Sequence, residues 1–420
     1  MAMFNAQCST RNGGGNQCAL NIGRFFLLFG EIRGTEGTFF YIIIYKSMRI
    51  CYNKHNKEPR SMRVAALQLY NFRNYEKLAF RPGEGLHILS GRNAAGKTNI
   101  LEALFLCALG RSHRTAHDAE LIRAGQNEGS AIVSVQARSG TRRVACALYT
   151  RERKRFSVNG KPLTRTGELM GNLNAVLFSP EDLNLIKGGP GERRRFLDME
   201  LSQTRPAYYY ALQQYRYVLA QRNALLKESG AAVAQMEAWE EKLAKLGAIL
   251  TAQRAELCTE LAAEAAKTHA MLSGGEALRI AYQPNLPLLA EAEMEARMLR
   301  QLANCRERDA LRGATSAGPH RDDFVLEIDG RDARIYGSQG QQRSAALALR
   351  LALIPIVEQR CGEKPVLLLD DVLSELDAGR QSALLSAAQG CQTFLTCTEV
   401  PDWGGMQAAL YRVADGMIYS

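Results

Sequence analysis

The chain has 420 residues, 46% apolar and 23% charged, which is long enough for two domains or for one large domain with an insertion. Its formal net charge of +10 favours polyanionic partners. No apolar run approaches the roughly 20 residues that a membrane-spanning helix needs, and Phe25–Phe29 is too short and lies too late for a signal peptide. The ten cysteines form no C-x-x-C pair, which predicts reduced thiols in a cytoplasmic protein rather than a metal site.

Residues 1–61 differ in composition from the rest of the chain. They hold eight Lys or Arg against three acidic residues, so half of the net charge lies there. A glycine run at 13–15 and stretches rich in Asn, Lys and His show no stable periodicity. We predict a disordered extension or a mis-called start, with the natural start at Met62. The alternative is a basic arm that contacts DNA.

From Met62 to about residue 206 the pattern is rich in β-strands. Strands are predicted at Met62–Tyr70, Leu86–Ser90, Ala131–Gln136, Arg143–Tyr149 and Lys154–Val158. The last is followed by an Asn159-Gly160 hairpin turn, and a helix follows the second. This span is expected to be the first part of a nucleotide-binding head.

Residues 207–312 are dominated by good helix formers, with apolar residues three and four positions apart, which predicts a helical hairpin or arm subdomain. The β/α pattern returns over 313–420, the expected second part of the head. Strands are predicted at Phe324–Ile328, Arg334–Tyr336, 366–370 and Gln392–Thr396, the last strand of the chain, and a long helix is predicted from Ser344 to about Arg360. The fold class is therefore α/β, with the nucleotide core split by a helical insertion.

A glycine-rich loop between the strand Leu86–Ser90 and the following helix matches the pattern G-x-x-x-x-G-K-[ST]. Its residues are Gly91, Arg92, Asn93, Ala94, Ala95, Gly96, Lys97 and Thr98, and Asn99 follows in the helix. Glycines let backbone N–H groups surround phosphate oxygens, Lys97 can reach the β- and γ-phosphates, and Thr98 offers a hydroxyl to Mg²⁺. The loop predicts nucleotide binding.

An apolar strand that ends in two carboxylates lies near the other end of the chain. Asp370 follows four apolar residues and would hold Mg²⁺ through water, and Asp371 could polarise the attacking water. The alternative is that the two carboxylates cap the next element.

A small polar loop that contains Ser338, Gly340 and Gln341 precedes this strand by one helix. Alone it could be a flexible cap of that helix. The turn that ends at Asp377 follows the acidic pair directly. Together, the phosphate loop, the polar loop and the acidic strand describe an ATPase whose site is completed by a second copy.

The order of these motifs resembles the ABC-type ATPases. The residues within them are similar to those of the RecF family of bacterial recombination-repair proteins, in the segments 71–75, 91–103, 318–323 and 369–377. The resemblance runs from Met62 to the end of the chain and does not cover residues 1–61. It implies an ABC-type P-loop ATPase head with a helical arm.

The resemblance also implies roles for single residues. Lys97 matches the phosphate-loop lysine, and Thr98 and Asp370 match the Mg²⁺ site. Ser338, Gly340 and Gln341 match the signature loop that meets the γ-phosphate bound by the opposing subunit. Asp371 matches the hydrolytic carboxylate, and Asp377 matches an acid at the dimer face.

The chain departs from the general ABC pattern at several places. The catalytic carboxylate is Asp371 rather than Glu, and Gln339 replaces a glycine in the signature loop. Phe178–Asp182 stands where a Gln-loop is expected, and Thr396 or Thr398 replaces a histidine after the last strand. These changes agree with slow hydrolysis and leave the γ-phosphate sensor open.

The family resemblance implies a function in recombinational repair and replication. ATP and Mg²⁺ would close two copies around duplex DNA near single-strand gaps, and slow hydrolysis would release it. RecR and RecO are the expected partners, with no membrane. The alternatives are a transport ATPase subunit and an SMC-like structural clamp.

Four further groups carry weaker hypotheses. His320 is predicted to have a structural or nucleotide-linked role, or else to belong only to the architecture of its loop. Arg111–Arg114 is predicted to contact a phosphate of nucleotide or DNA, or to be a solvated basic loop. Glu192–Arg195 is predicted to form ion pairs at a helix start. The tyrosines at 208–210, 215 and 217 are predicted to stack on bases or to pack within the subdomain.

Overall fold

The computed structural model describes the backbone of residues 18–22, 25–34 and 37–46, and residues 61–228, 233–400 and 407–419 with all side chains except those of residues 233, 234 and 375. The chain divides into two compact units, Met1–Glu58 and Pro59–Ser420. In the first, β1 (Cys18–Ile22), β2 (Phe25–Gly34) and β3 (Gly37–Lys46) form an antiparallel sheet. The prediction that residues 1–61 are an extension or a mis-called start stays a prediction.

The second unit mixes strands and helices along its length. Its strands are β4 (Arg63–Phe72), β5 (Tyr75–Phe80), β6 (Leu86–Ser90), β7 (Glu128–Ala137), β8 (Gly140–Tyr149), β9 (Arg155–Val158), β10 (Lys161–Pro162), β11 (Ala175–Phe178), β12 (Leu278–Gln283), β13 (Asp323–Ile328), β14 (Arg331–Asp332), β15 (Val366–Asp370), β16 (Thr393–Cys397), β17 (Ala408–Ala414) and β18 (Met417–Tyr419). Its α-helices are α1 (Lys97–Leu109), α2 (Asn184–Lys187), α3 (Pro190–Thr204), α4 (Pro206–Leu225), α5 (Val233–Ser273), α6 (Glu291–Asn304), α7 (Arg306–Arg312), α8 (Ala333–Tyr336), α9 (Gln339–Cys361) and α10 (Ala378–Ala387). Short 3₁₀ helices span Asp118–Leu121, Thr166–Leu169, Pro180–Leu183, Pro319–Arg321 and Leu373–Glu375.

One six-stranded sheet contains both the strand before the phosphate loop and the strand that ends at Asp370. Its strand order is β11-β15-β16-β6-β17-β18, and all pairs are parallel except β17 with β18. All five residues of β15 are buried, as expected for a strand covered on both faces. Because the strands are parallel, the carboxyl ends of β6, β15 and β16 meet at one edge, where the phosphate loop and Asp370 lie.

A second six-stranded sheet, antiparallel, has the order β10-β9-β8-β7-β4-β5. Burial alternates along β7, as expected for a sheet with one face turned to the core. Helix α1 contacts strands of both six-stranded sheets and is buried from Ile100 to Leu109. A helix that is buried on every side belongs in such a central position, and it anchors the phosphate loop at its own first turn.

The insertion packs onto the head rather than standing alone. Helix α5 contacts α4, α6 and also α9, and one hydrophobic cluster joins Leu250 of α5 to Leu349 of α9 and Leu369 of β15. The sequence analysis missed β12, which pairs with β13 in a small antiparallel sheet. The domain boundaries at 206 and 312 stay predictions.

Three local predictions need correction. Arg334–Tyr336 is helical in α8 rather than a strand, because Asp332 accepts a hydrogen bond from the backbone N–H of Arg334 at 2.7 Å and starts a turn of helix. Helix α9 begins at Gln339, five residues before the predicted start at Ser344, because Ser338 caps it. The strand at Gln392–Thr396 is present as β16, but β17 and β18 follow it.

Candidate functional site

The phosphate loop, Gly91–Thr98, joins the end of β6 to the start of α1. Gly91 and Gly96 have φ angles of 155° and 111°. A Cβ on Gly91 would lie 2.3 Å from the carbonyl oxygen of Val413, and a Cβ on Gly96 would lie 2.6 Å from Nδ2 of Asn74. Only glycine therefore fits at these two positions.

The first turn of α1 is open to an anion. Gly96 is the N-cap residue, and no side chain caps the helix. The backbone N–H groups of a first helical turn lack partners within the helix and carry positive potential, so this end is suited to phosphate. Arg92, Asn93 and Ala94 form the exposed tip of the loop.

Lys97 is folded across the loop that it follows. Its Nζ donates hydrogen bonds to the carbonyl oxygens of Gly91 at 2.6 Å and Arg92 at 3.0 Å, and the residue is 7% exposed. The ammonium group is thus held over the concave face of a glycine turn, where a phosphate oxygen could replace a carbonyl as its partner.

Two threonine hydroxyls converge on Asp370. Oγ1 of Thr98 and Oγ1 of Thr396 each donate a hydrogen bond to Oδ1 of Asp370 at 2.8 Å. Burial acts to raise the pKa of Asp370, but the nearby imidazole of His113 and the two hydroxyl donors outweigh it and hold this pKa below its ordinary value. An ionised carboxylate beside a hydroxyl supplies the oxygen ligands that Mg²⁺ prefers.

The protein offers this position few ligands of its own. Within residues 61–228, 233–400 and 407–419 no three His, Cys, Asp or Glu side chains cluster in a way that could hold a metal ion. A cation held by Thr98 and Asp370 would therefore depend on water and on oxygens of a bound phosphate, as is usual for Mg²⁺.

Asp371 has an unusual backbone conformation. Its φ is 53°, in the left-handed region, and its N–H donates to Oγ1 of Thr396 at 2.9 Å. Burial raises the pKa of the Asp371 carboxyl, with Lys97 opposing and Asp370 adding to the shift. A carboxylate with a raised pKa beside the expected metal position is suited to accept a proton.

Thr396 thus contacts both acidic residues, Asp370 through its carboxylate and Asp371 through its backbone N–H. Thr396 or Thr398 was expected where related ATPases carry a histidine, and it is the hydroxyl of Thr396 that bonds to Asp370 and to the backbone N–H of Asp371. No hydrogen bond of this residue reaches the phosphate loop within the described part of the chain. Its observed contacts are those of a positioning residue.

The turn between β4 and β5 supports the phosphate loop from below, which the sequence analysis did not predict. Nδ2 of Asn74 donates to the carbonyl of Ala95 at 2.9 Å, and the hydroxyl of Tyr75 donates to the carbonyl of Gly96 at 3.0 Å. Asn99 in turn donates to Oδ1 of Asn74 at 2.7 Å. The available signal was the motif Asn71–Tyr75, which the analysis used only as a mark of resemblance.

A buried carboxylate fixes the segment after α1. Glu102 is fully buried and accepts hydrogen bonds from Arg73 at 2.8 and 2.7 Å and from Oγ of Ser112 at 2.5 Å. Ser112 therefore holds the segment 111–114 back against α1. This placement brings Nε2 of His113 to 3.9 Å from Oδ2 of Asp370.

The signature loop, Ser338–Gln341, forms the capped start of α9. Oγ of Ser338 accepts a hydrogen bond from the N–H of Gln341 at 3.2 Å, and Oε1 of Gln341 accepts one from the N–H of Ser338 at 2.9 Å. Gly340 has open space around it, since a Cβ added there would lie 3.7 Å from its nearest neighbour, Nη2 of Arg380. Among the described residues no hydrogen bond or ion pair joins Ser338, Gly340 or Gln341 to the phosphate loop.

Asp377 caps α10 and is tied to the signature helix. Its carboxylate accepts from the N–H of Arg380 at 3.0 Å and pairs with the Arg380 guanidinium, which also donates to Oγ of Ser344 at 2.9 Å. The hydroxyl of Ser344 donates to the carbonyl of Gly340 at 3.0 Å. The turn at Asp377 and the signature loop therefore form one connected surface.

The segment expected to hold a Gln-loop has another construction. Ser179 and Asp182 form a capping box at the 3₁₀ helix Pro180–Leu183. Asp182 also pairs with Arg350 of α9 at 2.6 Å, and Arg350 reaches Glu200 of α3 at 3.2 Å. An ion-paired link between this segment and α9 occupies the place of an amide side chain.

The weaker candidates are mostly tied into the fold. Arg193 pairs with Asp323 at 2.6 Å, which agrees with ion pairing at a helix start. Tyr208 and Tyr215 are buried at 0% and 2% exposure, which favours packing over base stacking, whereas Tyr217 is 60% exposed. Arg114 remains partly exposed and donates to Oδ1 of Asn99 at 3.1 Å.

His320 joins the head to the insertion as a neutral imidazole. Its Nε2 lies 2.9 Å from the carbonyl of Thr315, which can only accept, so Nδ1 accepts the hydrogen bond from the hydroxyl of Tyr215 at 2.7 Å. Burial, with lesser effects of nearby arginines, lowers the pKa of His320 to about 4. The residue is therefore structural in this conformation.

We expect His320 to make stability depend on pH. Its pKa falls from 6.5 to about 4 on folding, so the unfolded chain binds the proton more tightly. The stabilising contribution is complete above pH 6.5 and is lost as the pH falls through this range, by about 2 kcal/mol between about pH 7 and pH 5. Urea unfolding of His320→Gln should show a pH dependence shallower by that amount. His117→Gln, at an exposed histidine, should match the wild type; equal slopes for all three would contradict the assignment.

No helix in the described part of the chain is long and apolar enough to cross a membrane.

The comparisons agree on one family. The family model for the RecF/RecN/SMC N terminal domain matches residues 63–413. The DNA replication and repair protein RecF of Acetivibrio thermocellus is 42% identical over 80% of this chain and 94% of its own length. A solved structure of the recombination mediator protein RecF-ATP in the RecFOR pathway superposes with a TM-score of 0.82 at 35% identity, covering 87% of this chain and 99% of that one.

A more distant structure shows the fold alone. A Smc head domain from Pyrococcus furiosus gives a TM-score of 0.51 at 17% identity, over 85% of this chain and 95% of that chain. The α/β fold is therefore that of an ABC-type, SMC-like ATPase head, as predicted, and the family-model match starts at residue 63. From Arg63 onward, the chain belongs to the RecF family of DNA replication and repair proteins.

Proposed function

We propose that this chain is an ATP-dependent DNA-binding protein of recombinational repair and replication in the cytoplasm. Two copies close in the presence of ATP, the closed dimer clamps DNA at single-strand gaps, and slow hydrolysis opens it. The observation that carries the proposal is the bonding of Asp370 to Thr98 and Thr396 beside an uncapped first turn of α1. The alternatives, a transport ATPase subunit or an SMC-like structural clamp, are not favoured because the close relatives are RecF proteins.

The residues around the phosphate loop fit a nucleotide with Mg²⁺. The loop from Gly91 to Asn99 would surround the phosphates with backbone N–H groups, and Lys97 would exchange its carbonyl partners for phosphate oxygens. Thr98 and Asp370 would hold Mg²⁺, and Asp371 would orient and deprotonate the attacking water. When bound, ATP supplies the γ-phosphoryl group whose transfer to water reverses the closed state.

The signature loop supports a site shared between two copies. Ser338 is exposed, and Ser338, Gly340 and Gln341 would meet the γ-phosphate held by the other copy. Ile335 and Tyr336, which precede the loop, are 68% and 69% exposed. Large apolar side chains in this position are expected where a second surface covers them. Asp377, connected to the same surface through Arg380, would lie at the dimer face.

DNA binding is proposed to rest on phosphate contacts, because the chain is basic and no motif reads base edges. Such binding weakens steeply with salt. RecR and RecO are the proposed partners, since a similar protein is described as a recombination mediator of the RecFOR pathway. The proposed hydrolysis is slow and DNA-dependent.

The test is to measure oligomer size and DNA affinity with ATP and with ADP. The wild-type chain should dimerise and bind DNA more tightly with ATP. Lys97→Met, which cannot hold the phosphates, and Ser338→Arg, which obstructs the shared surface, should both remain monomeric. Ser139→Arg, an equal change in the exposed turn between β7 and β8, is the control and should behave as wild type. Normal ATP-dependent dimerisation of either site variant would overturn the shared site.

The β4–β5 turn should affect ATP binding without touching the nucleotide. Asn74→Ala and Tyr75→Phe each remove one hydrogen bond to a carbonyl of the phosphate loop, so we expect ATP affinity to fall about fivefold for each. Equilibrium titration with a fluorescent ATP analogue measures this. Tyr70→Phe removes an exposed hydroxyl from the same hairpin and should leave affinity unchanged. Unchanged affinity in both turn variants would show that the loop holds its shape without them.

A further inference from the structure

A cavity of about 110 Å³ is lined by His113, whose Nε2 lies 3.9 Å from Oδ2 of Asp370. Its walls come from the segment after α1, from α3 and from the 3₁₀ helix Pro180–Leu183, and they include Arg111, His113 and Arg195. One water needs roughly 10–15 Å³ by the same measure, so the cavity has room for several waters or one small polyatomic ion.

His113 is a buried polar side chain on the wall of this cavity whose ring nitrogens lack hydrogen bonds. Its side chain is 6% exposed, and neither ring nitrogen makes a hydrogen bond within the described residues. The edge of the ring packs on Phe105, with centroids 5.4 Å apart, and the nearest carboxylate oxygen, Oδ2 of Asp370, is 3.9 Å from Nε2. Such a distance is too long for a hydrogen bond, and an unsatisfied buried group costs about 1–3 kcal/mol. A ligand in the cavity would satisfy it.

Two arginines in the same cavity also lack bonded anionic partners. Arg111 and Arg195 make no hydrogen bond or ion pair in the part of the chain that the structure describes. Burial and the like charges of Arg195 and Arg216 lower the pKa of Arg111 to about 10, against the opposing charges of Asp198 and Glu192. Asp198 is already paired with Arg216 and Arg254, so the charge of Arg111 is poorly compensated. By contrast, Arg350 in the same wall is neutralised by Asp182 and Glu200.

Carboxylates line the cavity too, but they do not cancel this charge. Asp182 is already paired with Arg350. Glu181 and Glu192 are exposed, so water screens their interaction with the half-buried Arg111. The uncompensated charge at Arg111 and the unpartnered nitrogens of His113 therefore both point to an anion that also exchanges a hydrogen bond with an imidazole.

We propose that this cavity binds an orthophosphate ion. Tetrahedral oxygens accept hydrogen bonds from the two guanidinium groups, and an ion that carries both bare and protonated oxygens can either donate to or accept from His113. The phosphate of a nucleic-acid strand is attached on both sides, and the experiment below distinguishes it from the free ion.

The use of the cavity rests on the proposed ATPase function. His113 lies between Asp370 and the cavity, so the ion bound there would be the phosphate product on its way from the shared site to solvent. Binding itself does not require hydrolysis, and a chain without ATPase activity would still bind orthophosphate here. Failure of the proposed function and failure of this inference are therefore separable.

Inorganic phosphate is titrated into the full chain saturated with ADP and Mg²⁺, and calorimetry measures the heat of binding. We expect one phosphate to bind. Arg111→Met, Arg195→Met and His113→Phe should each weaken binding by about tenfold or more, since each removes hydrogen bonds to a charged ligand. His113→Phe keeps an aromatic ring against Phe105, and Arg195 is exposed, so neither change should unfold the chain. Arg151→Met, at an exposed arginine outside the cavity, should bind as wild type.

A second arm separates the sources of the phosphate. Lys97→Met without nucleotide should still bind orthophosphate, because the phosphate loop is not used. Absence of saturable binding to the ADP-loaded chain, or wild-type affinity in both Arg111→Met and Arg195→Met, would overturn the proposal. Loss of binding in Lys97→Met would place the ion in the phosphate loop instead, and competition by a short oligonucleotide would assign the site to a nucleic-acid phosphate.

Discussion

Replacing Asp371 by Asn should lower ATP hydrolysis at least about 100-fold while ATP binding and ATP-dependent dimerisation persist. The amide keeps the size of the side chain and tolerates the left-handed backbone at φ 53°, but it cannot accept the proton of the attacking water. Asp370 and Thr98 are unchanged, so the proposed Mg²⁺ site stays. Single-turnover phosphate release and light scattering measure the two properties on the same sample.

Asp415→Asn is the matched control for this change. Asp415 is exposed, has a φ of 50° in the turn between β17 and β18, and lies outside the proposed site. Its variant should hydrolyse ATP as the wild type does. Undiminished hydrolysis in Asp371→Asn would mean that another group activates the water, and loss of dimerisation in that variant would give Asp371 a binding role instead.

Replacing Arg222 by Met should lower the free energy of unfolding by about 3–5 kcal/mol. Arg222 is completely buried in the insertion and donates to Glu240 and Asp309, each at 2.9 Å, which are also completely buried. Removing the guanidinium group leaves Asp309 without an opposite charge, while Glu240 keeps only its ion pair with Arg306. The change in the urea midpoint at constant slope measures the loss.

Two further variants test this explanation. Arg279→Met breaks a pair with Glu327 in which the arginine is 74% exposed, and it should cost at most about 1 kcal/mol. Adding Glu240→Gln and Asp309→Asn to Arg222→Met should recover part of the loss, because the stranded charges are gone. A small loss for Arg222→Met alone would show that water reaches these carboxylates.

Much of the local structure was predictable because one pattern dominated it. The strand Leu86–Ser90 was predicted at its observed bounds, since five residues without a break between a glycine and a polar turn leave little choice. The hairpin at Asn159-Gly160 was predicted because both residues favour positive φ, and they have it, at 52° and 78°. Where patterns competed, as at Arg334–Tyr336, a single side-chain cap decided for a helix.

The candidate site was predictable only in its named motifs. The loop Gly91–Thr98 and the carboxylates Asp370 and Asp371 are contiguous in sequence, so their chemistry can be recognised locally. The role of Thr396 and of the turn at Asn74 could not be, because each acts through hydrogen bonds to residues at least 21 positions away. The sequence left Arg111–Arg114 open between a phosphate contact and a solvated basic loop, and only the tertiary structure places Arg111 and His113 in the wall of a cavity.

The amino-acid sequence by itself determined the family, the α/β head with its insertion and the place of the candidate phosphate loop, because these depend on short motifs and on their order. The tertiary structure alone decided which side chains support that loop and which buried ion pairs, such as those of Arg222, stabilise the insertion. It alone also placed Arg111 and His113 in the wall of one cavity. The reason is physical: hydrogen bonds and charge pairs act over a few ångströms in space, whereas patterns in a sequence record only neighbours along the chain.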